Sequence, residues 1–207
     1  MSIEAYRVYI LAIVAVLLIL AISWYSWRQF QKTRHQQHLH NVIGGLGLEH
    51  IRDVVLPDGL DGLVFIDYLL LTPKGVVVID LMHSDGHLFG GTSIDQWSQV
   101  INNRTYKFPN PLYANETKCQ AVMWNVEKIR KQQQSQPDDD WHTHGWVVFS
   151  NAGNFPKGIP DRVCMIDDLA DMLTPLMQPS AAINKSTRRI WDHLHNLSVT
   201  SRAGLVR

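Results

Sequence analysis

Residues 65–86 read FIDYLLLTPKGVVVIDLMHSDG, and this stretch decides the fold. Two apolar runs of β-forming residues flank Thr72-Pro73-Lys74-Gly75, where proline at the second position and glycine at the fourth suit a tight turn. The stretch therefore predicts an antiparallel hairpin. Because side chains alternate along a strand, Asp67 lies on one face of the first strand, and Asp80 and Met82 share one face of the second.

The two aspartates are unusual in such apolar surroundings. A carboxylate there is costly unless it is paired, hydrogen-bonded or bound to a metal ion. Asp67 and Asp80 lie on neighbouring strands and can converge on one divalent cation, which is half of a nuclease-type site. The alternative is that each carboxylate only hydrogen-bonds the backbone or pairs with an arginine.

The composition limits the classes of function. The chain has 207 residues, with 19 Lys and Arg against 19 Asp and Glu, so its formal net charge is zero. Avid binding to any duplex depends on neutralising phosphates with Lys and Arg, and the bulk charge gives no sign of it. The two cysteines show no metal-binding spacing and fit free thiols in a reducing compartment.

An apolar, uncharged segment lies near the start of the chain. Residues 9–25 read YILAIVAVLLILAISWY, and as a helix they would extend about 25 Å, enough for a thin hydrocarbon core. The aromatic residues Trp24, Tyr25 and Trp27 suit a membrane interface, which favours a retained anchor over a cleaved signal peptide.

The charges that flank this segment predict its orientation. Arg28, Lys32 and Arg34 follow it, whereas only Glu4 and Arg7 precede it. The positive-inside tendency then places the C-terminal domain in the cytoplasm, as in a single-pass protein of a bacterial inner membrane.

Four parts follow from the pattern along the chain. They are a transmembrane anchor (1–27), a juxtamembrane linker (28–43), a compact domain (44–178) and a polar tail (179–207) that contains one helix (187–197). Within the domain the pattern predicts a helix (41–55), the hairpin, a strand–turn–strand (97–108), a helix (113–131), two strands (146–150 and 163–166) and a helix (167–176). The expected fold class is α/β, a mixed β-sheet flanked by helices and preceded by one transmembrane helix.

Taken together, residues 44–124 resemble the NERD family, the nuclease-related domain. The resemblance rests on Gly44-x-x-Gly47 followed by Glu49, on the two Ile-Asp pairs of the hairpin, and on the glycines, Trp97 and Asn110-Pro111 that come after it. The family resembles the restriction-endonuclease-like, PD-(D/E)xK superfamily, which implies the same fold here.

The resemblance also implies a chemistry, namely Mg²⁺-dependent hydrolysis of nucleic-acid phosphodiesters. In that superfamily a helix acid, a strand aspartate and a further carboxylate gather Mg²⁺, and a lysine assists the nucleophile. Carried over by position, the metal-binding and catalytic residues are Asp67, Asp80 and Glu49.

The sequence departs from that pattern at two positions. Met82 stands where the lysine is expected, and a thioether carries no positive charge and donates no proton. Leu48 stands where the helix acid is expected, so that Glu49 comes one residue late. Lys118, on the following helix, is a candidate replacement for the lysine. Two functions remain open: a phosphodiesterase with an impaired site, or an inactive binding or scaffolding module at the inner membrane face, with an unknown protein partner.

Overall fold

The computed structural model describes residues 16–25, 37–46, 48–133, 142–149, 153–177, 183 and 185–205. The chain forms two compact units, residues 1–41 and 42–207. In the first unit, residues 16–25 are helical and their apolar side chains are exposed. Over the described ranges, no helix is long and apolar enough to cross a membrane. Residues 9–15 of the predicted anchor (9–25) lie outside the described residues.

The described part of the second unit contains nine strands and three α-helices that are named here. The strands are β1 (His50–Pro57), β2 (Leu63–Thr72), β3 (Gly75–Met82), β4 (Gly86–Phe89), β5 (Gln96–Ile101), β6 (Arg104–Pro109), β7 (His142–Phe149), β8 (Gly153–Asn154) and β9 (Val163–Met165). The helices are α1 (Pro111–Gln133), α2 (Leu169–Leu173) and α3 (Lys185–Leu205). Short 3₁₀ turns, Ile166–Asp168 and Thr174–Leu176, flank α2.

The strands form two mixed sheets. The first has the order β1-β2-β3-β7-β9, antiparallel through the hairpin and parallel from β3 to β9. The second has the order β6-β5-β4-β8. The predicted α/β class is confirmed, although two sheets take the place of one, and the transmembrane helix stays a prediction.

Both predicted turns occur where the sequence places them. β2 and β3 pair antiparallel up to Thr72 and Gly75, on either side of the turn. β5 and β6 are joined at Asn102 and Asn103, whose φ angles of 49° and 61° are the left-handed values that a two-residue hairpin loop uses. The local turn chemistry thus sets both registers.

Two apolar clusters hold the layers together. The first lies between the first sheet and the helices α1 and α3, and it contains Val54, Leu56, Ile66, Leu69, Leu71, Val76, Val78, Cys119, Val122, Val126, Ile190, Trp191 and Leu194. The second joins the two sheets and contains Leu88, Trp97, Leu112, Val147, Phe149 and Val163. Each cluster draws on residues far apart in sequence, and burial of this area is the main favourable term in folding.

The N-terminus of α1 is fixed by the predicted Asn-Pro element. The Asn110 side-chain oxygen accepts the Leu112 N–H at 2.9 Å, and Pro111 occupies the first helical position. The Asn110 amide group in turn donates to the Gly91 and Ile94 carbonyl oxygens at 3.2 Å and 2.9 Å. This double role fixes the start of the helix that covers the candidate site.

The structure differs from the prediction at both ends of the domain. The helix predicted over 41–55 is wrong, because the helical residues end at 45 and β1 runs from His50 to Pro57. In the region predicted as a polar tail, α3 extends well beyond 187–197 and buries Ile190, Trp191 and Leu194. Those side chains complete the first cluster, so this segment belongs to the core.

Candidate active site

Asp67 and Asp80 face each other where the β2–β3 ladder stops. The last paired residues are Tyr68 and Ile79, and the two aspartates are the next residues on their strands. The Asp67 side chain then replaces a backbone acceptor, because its Oδ2 accepts the Leu81 N–H at 2.7 Å. The register thus places the two aspartates opposite each other on the same face of adjacent strands.

Asp80 is buried, and two side chains of α1 engage its carboxylate. Lys118 Nζ lies 2.6 Å from Oδ1, and the Asn115 amide group donates to Oδ2 at 3.1 Å. Asn115 and Lys118 stand three residues apart, so they share one face of the helix. Both oxygens of the buried charge are therefore satisfied, which removes the cost of an unpaired carboxylate.

Asn115 is completely buried and depends on a glycine beneath it. A Cβ at Gly145 on β7 would lie 2.1 Å from Asn115 Oδ1, so a larger residue there would displace the amide. Asn115 is not among the residues predicted from the sequence. The signal was present, since a polar residue occupies the apolar face of α1 with the helical spacing of Cys119, Val122 and Val126.

The pKa of Asp67 is raised above its ordinary value. Burial is the main cause, the Leu81 N–H opposes it, and the Asp80 carboxylate adds to it by repulsion. The Lys118 ammonium lowers the pKa in turn. One lysine thus acts on two neighbouring carboxylates, and the pair retains net negative charge when both are ionised.

A third carboxylate, that of Asp53 on β1, lies next to Asp67 on β2. Its neighbours Arg52 and Val54 pair with Tyr68 and Ile66, so the register places Asp53 opposite Asp67. Asp53 has a φ of 49° and is exposed, and its charge also raises the pKa of Asp67. This acid was missed because an isolated Asp before a short apolar run gives no periodic signal.

Glu49 does not lie on a helix, and that expectation is wrong. It precedes β1 and is exposed, and its carboxylate pairs with the Arg188 guanidinium of α3 at 2.5 Å. This hydrogen bond lowers the pKa of Glu49. The contacts described for this part of the chain do not bring Glu49 to Asp67 or Asp80.

Met82, which occupies the lysine position, packs against the second apolar cluster. It is partly buried beside a group that includes Leu88, Trp97 and Phe149. The position therefore contributes to the junction of the two sheets, and its side chain is apolar for a structural reason.

The site offers a pair of carboxylates as candidate ligands for a metal ion. Across the described part of the chain, no group of three or more His, Cys, Asp or Glu is arranged to hold a metal ion. Mg²⁺ is usually bound by one or two carboxylates together with water and substrate phosphates. Asp67 and Asp80 are two adjacent carboxylates of the kind that such binding uses.

The domain is thus a mixed α/β fold with two acids opposite each other where one strand ladder ends. A family model for the nuclease-related domain, NERD, matches residues 29–150. The chain belongs to the NERD family.

One curated relative gives a partial match. An uncharacterized protein of Bacillus anthracis is 27% identical over 63 residues, a stretch that covers 30% of this chain and 30% of the relative. No solved structure gives a significant match.

Proposed function

We propose that this chain is a membrane-anchored, Mg²⁺-dependent phosphodiesterase that acts on nucleic acid through Asp67 and Asp80. The observation that carries the proposal is the placement of two carboxylates side by side where the β2–β3 ladder stops, with one lysine that pairs with Asp80 and also acts on Asp67. A structural ion pair needs only one acid. The second acid, Asp67, is half-buried and its pKa is raised even though it accepts the Leu81 N–H, so a bound cation would stabilise its charged form.

Asp67 and Asp80 would hold the metal ion. When bound, Mg²⁺ polarises the scissile phosphate and lowers the pKa of an attacking water. Hydrolysis adds one water across a P–O bond and gives a phosphate monoester and a hydroxyl. Because the pKa of Asp67 is raised, protons compete with the cation for its carboxylate, and we expect cation binding to weaken as the pH falls.

The test is a digestion assay on the full-length chain in detergent, with single-stranded DNA, duplex DNA and RNA as separate substrates. Asp67→Asn and Asp80→Asn should each lower the Mg²⁺-dependent rate by about 10³-fold, since metal activation supplies several kcal/mol. Asp171→Asn, an exposed acid of α2, is the matched control. A rate that both site substitutions leave unchanged would contradict the assignment.

A second function, a binding or scaffolding module without catalysis, is favoured by Met82. A methionine packed between the sheets cannot supply the charge of the expected lysine. Calorimetry with Mg²⁺ and Mn²⁺ separates the two functions. The phosphodiesterase predicts ion binding that Asp80→Asn removes, whereas a scaffold predicts no binding that depends on Asp80.

The membrane anchor and the cytoplasmic orientation are part of the proposal. The apolar sequence of residues 9–25, the basic flank that follows it, and the exposed apolar side chains of helical residues 16–25 support the anchor. Protease treatment of inside-out and right-side-out vesicles tests the orientation, because only inside-out vesicles should expose the domain to cleavage. Recovery of the chain in the soluble fraction would contradict the anchor.

A further inference from the structure

We infer that Lys118 of α1 is a catalytic residue of this site and supplies to the scissile phosphate the positive charge that Met82 does not. This inference rests on the proposed phosphodiester hydrolysis. It concerns a residue outside the hairpin motif, and four features of Lys118 support it.

The first feature is where the ammonium lies. Lys118 Nζ is 2.6 Å from Asp80 Oδ1, and its charge also acts on Asp67. A phosphate oxygen drawn to a cation on these two carboxylates would lie within the same small space. The ammonium is thus placed to meet the substrate's negative charge.

The second feature is that the ammonium is not fully enclosed. The Lys118 side chain keeps 23% of its surface exposed, against 9% for Asp80. An ammonium has three N–H donors, and Asp80 accepts one of them. The remaining donors can therefore be offered to a ligand while the ion pair stays intact.

The third feature is the contrast with two other ion pairs of the described structure. Glu116 with Arg162 and Glu49 with Arg188 join side chains that are each roughly half exposed. Such surface pairs are worth little and are common. Lys118 instead engages a buried acid that has a second acid next to it, so one partly buried ammonium serves two carboxylates.

The fourth feature is that side chains at positions 82 and 118 can both lie next to the Asp80 carboxylate. Met82 stands two residues after Asp80 on β3, so alternation puts both side chains on one face. Lys118 reaches Asp80 from the helix above. A lysine at either position can therefore serve the site, which makes the exchange of the two residues the decisive experiment.

The experiment compares four full-length variants in detergent: Lys118→Met, Met82→Lys, both together, and Lys128→Met. Lys128 lies on the same helix, over the Trp124 ring at 5.1 Å, and is the matched control. We expect Lys118→Met to lower the Mg²⁺-dependent rate by about 10²- to 10³-fold, the usual cost of one electrostatic group at a transition state. The double exchange should recover at least about tenfold of that loss, and Lys128→Met should leave the rate unchanged.

A second measurement does not depend on cleavage. Fluorescence anisotropy with a short, labelled single-stranded DNA, in Ca²⁺ in place of Mg²⁺, gives the affinity at several salt concentrations. Loss of one phosphate contact should lower the salt slope of binding to a single strand by about 0.7, and Met82→Lys should restore it in the exchange variant. A purely structural Lys118 would lower the melting temperature and leave the salt slope unchanged.

The outcomes separate the two proposals. If Asp67→Asn and Asp80→Asn both leave the cleavage rate unchanged, the proposed function is refuted. Cleavage that needs the acids while Lys118→Met keeps the wild-type rate and salt slope refutes the role of Lys118 alone. If the wild type does not cleave, the salt slope decides: a slope that Lys118→Met leaves at the wild-type value overturns the inference.

Discussion

On one face of the β2–β3 hairpin, Leu69 and Val78 pair across the strands and are completely buried, whereas two residues further along each strand the same face carries Asp67 and Asp80. Near the turn the ladder is continuous and the side chains join the first apolar cluster. At the far end the ladder stops, and a carboxylate takes over the last hydrogen bond. A single strand pair thus changes from core to candidate site within two residues.

The helix above explains this difference. Over the turn end, α1 contributes Val122 and Val126 to the apolar cluster, whereas over the far end it presents Asn115 and Lys118 to Asp80. The two ends therefore also differ in what covers them. Apolar cover favours apolar strand residues, and polar cover makes a buried acid tolerable. Four substitutions test this contrast.

Leu69→Ala should have the largest effect on stability. The side chain is completely buried, and truncation removes apolar contacts and leaves a cavity, so we expect a loss of about 2–5 kcal/mol in the free energy of unfolding. Urea denaturation measures the loss. The rate per folded molecule should not change, and a selective loss of cleavage would mean that the two ends are not independent.

Gly145→Ala should damage both ends at once. Its Cβ would lie 2.1 Å from Asn115 Oδ1 and 2.7 Å from Cys119 Sγ, so the helix or the amide must move. We expect about 1–3 kcal/mol of destabilisation by overpacking, together with slower cleavage as Asp80 loses its amide donor. Gly44→Ala, where a Cβ meets nothing within 4 Å, is the control. Unchanged cleavage in Gly145→Ala would show that Asn115 does not orient Asp80.

Asp67→Asn should raise stability while it removes activity. A carboxyl whose pKa is raised in the folded state favours folding below its ordinary pKa and loses that contribution as the pH rises through the raised value. The neutral amide, which can still accept the Leu81 N–H, avoids this loss. The variant should therefore unfold at higher urea than the wild type at neutral pH, and the difference should vanish below about pH 4. A variant less stable at neutral pH would contradict this account.

Glu49→Gln should have the smallest effect. Glu49 pairs with Arg188 at an exposed position, and such pairs contribute little and weaken with salt. We expect no change in cleavage and at most a slight shift in unfolding at low salt. A large loss of cleavage would restore Glu49 to the candidate site.

The sequence predicted the local parts of the site well. Alternation and the Pro-Lys-Gly turn placed Asp67 and Asp80 on adjacent strands, and the Asn102-Asn103 pair identified the second hairpin. These features depend on neighbours in the chain, where propensity and turn chemistry act directly.

The missing parts depend on contacts between distant residues. The site also depends on Asn115, Asp53 and Gly145. They lie near it only because α1, β1 and β7 pack around β2 and β3, and a single sequence does not show that packing. The segment of helix α3 is predicted as a polar tail with one short helix (187–197), although the spacing of Ile190, Trp191 and Leu194 indicates an apolar stripe. The helix predicted over 41–55 failed because residues 50–57 pair with β2 as strand β1, and that long-range pairing overrides the local helical pattern.

The hydrogen bond from Leu81 to Asp67 also gives the molecule a built-in spectroscopic reporter. The amide proton of Leu81 is directed at the very carboxylate that a proton or a divalent cation would engage. The amide nitrogen and proton resonances of Leu81 should therefore shift when a proton or a cation binds Asp67. The exchange of this amide proton with solvent should slow if cation binding makes the strand more rigid. One backbone signal would then follow the state of the acidic pair without a substrate, a label or a substitution.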